Sequence, residues 1–392
     1  MLKANLRNKR FTRIDINLSY LSNNVAVLKS CLKNPSTKIM AVVKSNAYGH
    51  GVIEVSKHLV KNKINALGVA LAEDGIRLRK AGIKVPIYIL GEPPMEIVAD
   101  AIKYDFTLCL NSFTKADAVS QKGAKFGKKV AVHLKVDTGM NRVGINYRDA
   151  VQAISAIKEL KGIKADGIFT HFSCAGDAEQ DYTNMQYKRF TDILKSLENM
   201  SIRFKTVHCA NSAAFLRDNK YHFDMARIGI ALYGLSPFAP ESLKSLNDDA
   251  AGALNRLKPI LSLKSKISFV KKVPAGESIS YGASFKTLRN SLIATVPIGY
   301  ADGYSRLLSN KAGVLINGAI APVAGNVTMD QLMIDVTDIP EKSSIAEGTE
   351  VTLIGNSTFR QISADYLASL MGTINYEILC MLKDRIPRVY IC

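Results

Sequence analysis

The fold class this sequence predicts is α/β: a TIM-type (β/α)8 barrel followed by a mostly β C-terminal domain. Three observations predict it. Eight short β-branched apolar runs recur between residues 38 and 234, and longer segments of helical periodicity separate them. After Pro259 that alternation gives way to strand-like runs broken by Gly, Pro and Asn. An open doubly wound sheet is the second choice for the first part.

In chain order the runs are KIMAVVK (38–44), NALGVA (65–70), PIYIL (86–90), FTLCL (106–110), KKVAVHLKVD (128–137), ADGIFTHF (165–172), FKTVHCA (204–210) and MARIGIALYG (225–234). Between them VIEVSKHLV, EDGIRLRKAG, AVQAISAIKEL and YKRFTDILKSLENM have helical spacing. Each is long enough for a right-handed crossover between parallel strands. Residues 235–258, with Pro237 and Pro240, read as a linker or surface excursion. Beyond them ILSLKSKISFV, SLIATVPIGY, AGVLINGAIAPVAG, QLMIDVT, TEVTLIG and RVYI read as strands, and ISADYLASLM as a helix. The expected domains are a barrel over 16–238 and a mostly β domain over 239–392, with residues 1–15 pairing onto the latter.

Composition narrows the function classes. With 392 residues, 47% of them hydrophobic and 22% charged, the chain can bury proper cores, which excludes a small disulfide-stapled scaffold. No segment approaches the roughly 20 apolar residues of a membrane span. The net charge of +18 invites a nucleic-acid reading. However, residues 1–64 carry twelve basic residues against Asp15 and Glu54, spaced apart and without a zinc-finger or RNA-binding motif. The charge therefore reads as a solvated face, and neither a nucleic-acid nor a membrane partner is expected. The six cysteines show no C-x-x-C pair or metal-ligand spacing, so no metal is expected and the thiols read as reduced and mostly buried. MLKANLRNKRFTRIDINL lacks a secretory pattern, which predicts a cytoplasmic protein.

In a parallel barrel the active site forms at the C-terminal ends of the strands. Lys44 ends the first run; partly desolvated there, it is a candidate nucleophile toward a carbonyl, the alternative being a rim lysine in water. Run five brings Lys135 and, in the following VDTGMNRVG loop, Arg142; run six ends at His171. Ser212 falls where a helix starts after HCAN, and run eight holds Arg227, Gly229 and Ile230. A helix N-terminus with Ser212, Gly229 and Ile230 could hold a phosphate. A lysine, a phosphate cradle and a charged partner for a ring nitrogen together describe a pyridoxal-phosphate site.

The motifs AVVKSNAYGHG, KVDTGMNRVG, THF, HCANSAA, RIGIALYG, LKPILSLKSKI, SYGASF, PIGYADGYSR, GNVTMDQ and TINYEI resemble, in this order, those of the bacterial alanine racemases. The resemblance runs from about residue 12 to residue 388. It implies a pyridoxal-phosphate-dependent isomerase that interconverts L- and D-alanine, supplying D-alanine for peptidoglycan, and a homodimer with shared active sites. By the resemblance Lys44 holds the cofactor and serves as base on one face of the α-carbon. Tyr281, lent by the other subunit, serves the opposite face, and His171 links that tyrosine to Arg227 at the ring nitrogen. Tyr48, Ser212, Gly229, Ile230 and Tyr376 match phosphate contacts. Arg142 matches a contact to the cofactor and to the substrate carboxylate, and Met329 offers that carboxylate its backbone N–H. Lys135 matches a lysine carbamylated in many members, and Tyr300 and Arg306 match residues lining the access corridor. Asn141 departs from a common Gly, and Thr328 stands where Cys is frequent; SCAGDAEQ after His171 is spaced differently, so no corridor acid is assigned. The competing readings are a broader-specificity amino-acid racemase, acting on serine or lysine, and a pyridoxal-phosphate decarboxylase of the same architecture.

Overall fold

The computed structural model describes residues 10–340, 344–357 and 360–392. It divides into two units: a barrel formed by residues 20–47 and 52–258, and a β unit formed by residues 10–19, 48–51 and 259–392. The chain starts in the β unit with β1 (Arg13–Asn17), whose Ile14 and Ile16 point into the core while Arg13 and Asp15 point outward. The part of the 1–15 segment before residue 10 lies outside the described residues.

The barrel strands are β2 (Lys38–Val42), β3 (Ala66–Val69), β4 (Ile87–Ile89), β5 (Phe106–Leu110), β6 (Val130–Asp137), β8 (Ile163–Phe169), β9 (Thr206–His208) and β10 (Met225–Ile228), with the two-residue β7 (Ile145–Asn146) appended to β6. They pair in parallel in the order β10-β2-β3-β4-β5-β6-β8-β9. Two backbone hydrogen bonds, from Asp224 N–H to the Val207 carbonyl and from Arg227 N–H to the Ala210 carbonyl, join the ends of the series. All eight expected runs are thus strands of one nearly closed barrel. Strands covered on both faces carry near-continuous apolar stretches, which is why β-branched runs betrayed them.

Residues 235–258, expected as a linker or surface excursion, lie mostly at the surface and carry two short helices. Asn247 accepts a hydrogen bond from Ala250 N–H through its side chain and so caps the helix Asp248–Arg256, while Pro240 opens a 3-10 helix to Ser245. Their contacts belong to the barrel unit, which continues to Lys258.

In the β unit, β11 (Leu261–Lys266), β12 (Phe269–Val273), β13 (Ser278–Ile279), β14 (Phe285–Lys286), β15 (Ser291–Val296), β16 (Gly313–Ile316), β17 (Ala319–Pro322), β18 (Leu332–Asp335), β19 (Glu350–Asn356), β20 (Gln361–Ile362) and β21 (Arg388–Ile391) follow in order. The largest sheet runs β17-β16-β19-β11-β1-β21; β1 pairs antiparallel with β11 and parallel with β21. The single run ILSLKSKISFV becomes two strands because the chain changes sheets: Ile267 N–H bonds the Thr349 carbonyl, and Ser268 N–H bonds the Thr295 carbonyl. Two helices, Ala364–Met371 and Asn375–Met381, complete the unit, and the second was not expected.

No helix among the described residues is long and apolar enough to cross a membrane. No disulfide links the six cysteines, and only Cys109 and Cys209 are buried, which corrects the expectation of mostly buried thiols; Cys380 and Cys392 are exposed.

Candidate active site

Lys44 follows β2, and its backbone leads directly into an unusual turn. Ser45, Asn46, Ala47 and Tyr48 all have φ between 52° and 55°, a left-handed helical turn built without glycine. Such a conformation costs roughly 1–2 kcal/mol per residue because Cβ crowds the following carbonyl. Local bonds offset it: Ala47 N–H donates to the Val43 carbonyl at 3.0 Å, and the Asn46 side-chain oxygen accepts from Val52 N–H at 2.8 Å, at the start of helix Val52–Lys61. The turn fixes where Lys44 leaves the barrel. Lys44 is exposed in the single chain, as the rim-lysine alternative describes.

Arg227, on β10, is a buried cation held by four side-chain hydrogen bonds. It is 4% exposed, and its guanidinium donates to the carbonyls of Thr170 (2.8 Å) and Cys209 (2.9 Å), to His208 Nδ1 (2.8 Å) and to His171 Nδ1 (3.1 Å). No carboxylate pairs with it among the described residues, and burial pulls its pKa down to about 10. A guanidinium has no acceptor, so these bonds assign protons on the histidines. With Nδ1 accepting from Arg227, neutral His171 carries its proton on Nε2. Burial, reinforced by Arg227, Lys135, Arg142 and Lys44, holds His171 well below its ordinary pKa, so it is neutral at pH 7.

The same logic runs inward. His208 accepts from Arg227 at Nδ1, so its Nε2–H donates to His133 Nδ1 at 2.8 Å. Burial holds His208 well below the usual range and brings His133 down to about 4, and both rings are neutral. Phe169 stacks on His208 at 4.7 Å, and the Tyr88 ring stands edge-on to His133 at 4.9 Å. Neither histidine was singled out from sequence. The available signal was their placement, facing inward on β6 and β9, one strand apart from each other in the barrel order.

Lys135, on β6, is 5% exposed; burial, then repulsion from Arg142 and Arg227, lowers its pKa to about 8. Arg142 lies exposed in the loop after β6. That loop is pinned by Asp137, whose carboxylate accepts from the N–H groups of Gly139 (3.0 Å) and Asn141 (3.1 Å). Asn141 has φ of 53°, a conformation Asn tolerates better than most residues.

Across the mouth, Asn211 caps the helix Ser212–Arg217 by accepting from Ala214 N–H. Ser212 is buried, and its hydroxyl accepts from Gly229 N–H at 2.9 Å, locking the helix start to the turn where the 3-10 helix Ile230–Tyr233 begins. Apart from the Ala214 and Gly229 N–H groups, which these side chains bond, the leading amides of both short helices have no intrahelical acceptor.

The other expected site residues lie in the β unit. Tyr48 is buried 6.1 Å from the Tyr376 ring, and burial raises both hydroxyl pKa values. Tyr281 is 75% exposed at the start of a 3-10 turn; Asn326 donates to its carbonyl at 2.7 Å. Met329 and Tyr300 are also exposed, and their segments are joined by bonds from Tyr300 N–H to the Thr328 carbonyl and from Ala301 N–H to the Met329 carbonyl, both 3.0 Å. Arg306 is exposed in the neighbouring 3-10 turn Arg306–Leu308. The structure therefore gathers Lys135, His171, Ser212, Arg227, Gly229 and Ile230 in the barrel, and Tyr281, Tyr300, Arg306 and Met329 along one edge of the β unit.

A parallel barrel with a lysine at one strand end and a buried arginine behind a neutral histidine, followed by a β domain, places the chain in the barrel-plus-β class, in which racemases and decarboxylases share one architecture. The comparisons specify the family. Residues 16–237 match the alanine racemase N-terminal domain, and residues 260–390 match the alanine racemase C-terminal domain. The alanine racemase of Halothermothrix orenii is 42% identical over 386 residues, covering 98% of each chain. The solved alanine racemase of Clostridium difficile 630 superposes with a TM-score of 0.89 at 37% identity, over 98% of this chain and 96% of that one. That of Bartonella henselae, described with covalently bound pyridoxal phosphate, gives 0.85 at 27% identity, over 97% and 99%. The chain belongs to the alanine racemase family.

Proposed function

We propose that the chain interconverts L- and D-alanine as a cytoplasmic homodimer that uses pyridoxal phosphate. The donor set supports the cofactor. The Ser212 hydroxyl beside the leading amides of two short helices suits a phosphate, and a buried arginine without an acid suits an unprotonated ring nitrogen. Lys44 would hold the group covalently, with Arg227 at its ring nitrogen, the Ser212–Gly229–Ile230 cradle and the hydroxyls of Tyr48 and Tyr376 at its phosphate, and Arg142 at its phenolic oxygen. When bound, that group draws electrons from the substrate's α-carbon and so acidifies its C–H bond.

The chain supplies the rest. Lys44 Nζ would take or return the proton on one face of the α-carbon, and Tyr281 Oη of a second copy would do so on the other, the division racemisation requires. A tyrosine hydroxyl is a poor base at neutral pH unless its environment favours the ionised form. The His171 Nε2–H, backed by Arg227 at Nδ1, supplies a donor of fixed polarity for that oxygen; this assignment of protons is the observation that carries the reading. Arg142 and the Met329 N–H would bind the substrate carboxylate. Carbamylated, Lys135 would gain a negative charge to orient Arg142; its lowered pKa supports reaction with carbon dioxide through the neutral amine. Tyr300 and Arg306 would line the corridor from the second copy. The half-buried Tyr376 against Tyr48 favours a small side chain over the broader-specificity alternative, and the absence of an acid beside Arg227 among the described residues disfavours the decarboxylase.

The test is α-proton exchange. Purified holoenzyme in deuterium oxide should wash the α-proton out of both alanine enantiomers, and Lys44→Ala should abolish washout from both. Retention of the proton in both enantiomers with cofactor bound refutes the assignment.

A further inference from the structure

Asp302 is a fully buried carboxylate in the β unit that none of the roles above uses. Its Oδ1 accepts from Arg10 Nη2 at 2.6 Å and faces Arg385 Nε at 2.8 Å, and its Oδ2 accepts from Gly299 N–H at 3.2 Å. Its backbone carbonyl accepts from Lys383 N–H at 2.9 Å. Arg385 does not stop there: its Nη2 donates to the carboxylate of Asp330 at 2.6 Å. Asp302 and Asp330 are therefore the two ends of one Asp–Arg–Asp bridge.

Asp330 is next to Met329, and the bridge is doubled by backbone contacts. Tyr300 N–H and Ala301 N–H donate to the Thr328 and Met329 carbonyls. Gly299 lies so close beneath that a Cβ there would come within 2.2 Å of the Thr328 oxygen and 2.4 Å of the Met329 oxygen. The Thr328 hydroxyl accepts from Gln331 N–H at 3.2 Å and its N–H bonds the Gln331 carbonyl at 2.9 Å, closing a tight turn. Met329 N–H, by contrast, has no partner among the described residues, and the residue is exposed. A turn whose neighbours are bonded on every side holds one amide outward in a fixed direction.

We infer that Asp302 is a positioning residue for substrate binding: through Arg385 and Asp330 it clamps the 328–331 turn so that Met329 N–H is preorganised for the carboxylate of the amino acid. This rests on the proposed function, in which that N–H meets the substrate. A fixed N–H donor to a carboxylate strengthens binding because the donor is not reoriented on association. Loosening the turn weakens binding without removing a group that moves protons.

The test uses the dimeric holoenzyme with two variants, Asp302→Asn and Arg385→Gln. The second alters a half-exposed side chain and cuts the bridge while leaving the buried carboxylate in place with its bonds from Arg10 and Gly299 N–H. Two quantities are read: racemisation kinetics in both directions, and equilibrium titration with propionate, which has alanine's carboxylate and methyl group but no amine to react. For Asp302→Asn the KM for alanine and the Kd for propionate should rise together by about tenfold, with kcat within about threefold of wild type. Because the two enantiomers are equal in energy, kcat/KM must fall by the same factor in both directions. Arg385→Gln should raise both constants by at least about threefold. A lower kcat with KM and propionate affinity unchanged is the signature of a merely structural residue and overturns the inference, as does wild-type behaviour of Arg385→Gln. A wild-type enzyme that binds propionate but does not racemise alanine refutes the proposed function instead, leaving the propionate comparison to decide the clamp.

Discussion

Replacing Gly167 by alanine adds a single methyl group, and the barrel interior makes it expensive. Between β6 and β8 the register slips by one residue: Val132 faces Ala165, but His133 faces Gly167. A Cβ on Gly167 would sit 2.3–2.4 Å from three atoms of the His133 ring, where carbon contacts normally settle near 3.5–4 Å. The ring must therefore move by more than about 1 Å. It is 3% exposed, held by the Tyr88 ring and by the 2.8 Å bond to His208, so that movement breaks the bond. Overpacking of about 1–3 kcal/mol and a lost buried hydrogen bond of about 1–3 kcal/mol give an expected loss of about 2–6 kcal/mol. The matched control is Gly252→Ala, in the helix Asp248–Arg256 with nothing within 4 Å of its added methyl; it should stabilise by up to about 1 kcal/mol. Urea unfolding followed by circular dichroism compares the two variants with wild type, and nitrogen NMR of the histidine side chains reports whether His208 still carries its proton on Nε2. A Gly167→Ala variant within about 1 kcal/mol of wild type, with the His208 tautomer intact, would refute the account of a sterically locked Arg227–His208–His133 series.

Two further predictions concern protons. Tyr281→Phe should lose α-proton abstraction from one alanine enantiomer far more than from the other in single-turnover exchange; equal losses would remove the two-face division. Lys135 titrates near 8 when folded and near 10.5 when unfolded, so between those values the unfolded chain binds more protons and stability should rise with pH. The rise should vanish in Lys135→Met and in carbamylated enzyme, and a pH-stability curve identical for enzyme shown by mass spectrometry to be uncarbamylated and for Lys135→Met would contradict the burial of a titrating amine.

The barrel was legible because a parallel strand covered on both faces has to be apolar for its whole length, so β2 through β10 stand out as runs such as FTLCL and MARIGI. The β unit was less so. ILSLKSKISFV reads as one strand, and only partners far along the chain, the Thr349 and Thr295 carbonyls, split it between two sheets. The helix Asp248–Arg256 was overlooked although Asn247, Asp248 and Asp249 form a recognisable helix start, because no wide apolar stripe follows them. Within the site, Lys44 at a strand end, Ser212 at a helix start and Arg227 within the eighth run could be placed from sequence. The left-handed turn at Ser45–Tyr48 could not, since SNAY holds no glycine to announce positive φ. Nor could the pairing of His133 with His208, which depends on strand order and on the one-residue slip opposite Gly167.

The position of β1 bears on how the molecule comes into being. Ile14 and Ile16 are made before any barrel strand, yet their neighbours in the sheet, Leu261 to Leu263 on one side and Arg388 to Tyr390 on the other, are made after all of them. Throughout synthesis of the barrel, a strand with one apolar face and both edges open has to wait. Loop-closure entropy makes such distant pairings slow, and open edges invite association with other chains. The barrel, whose strands pair almost entirely with near neighbours in sequence, can assemble in the interval, so the β unit is the later and more aggregation-exposed half of the folding reaction.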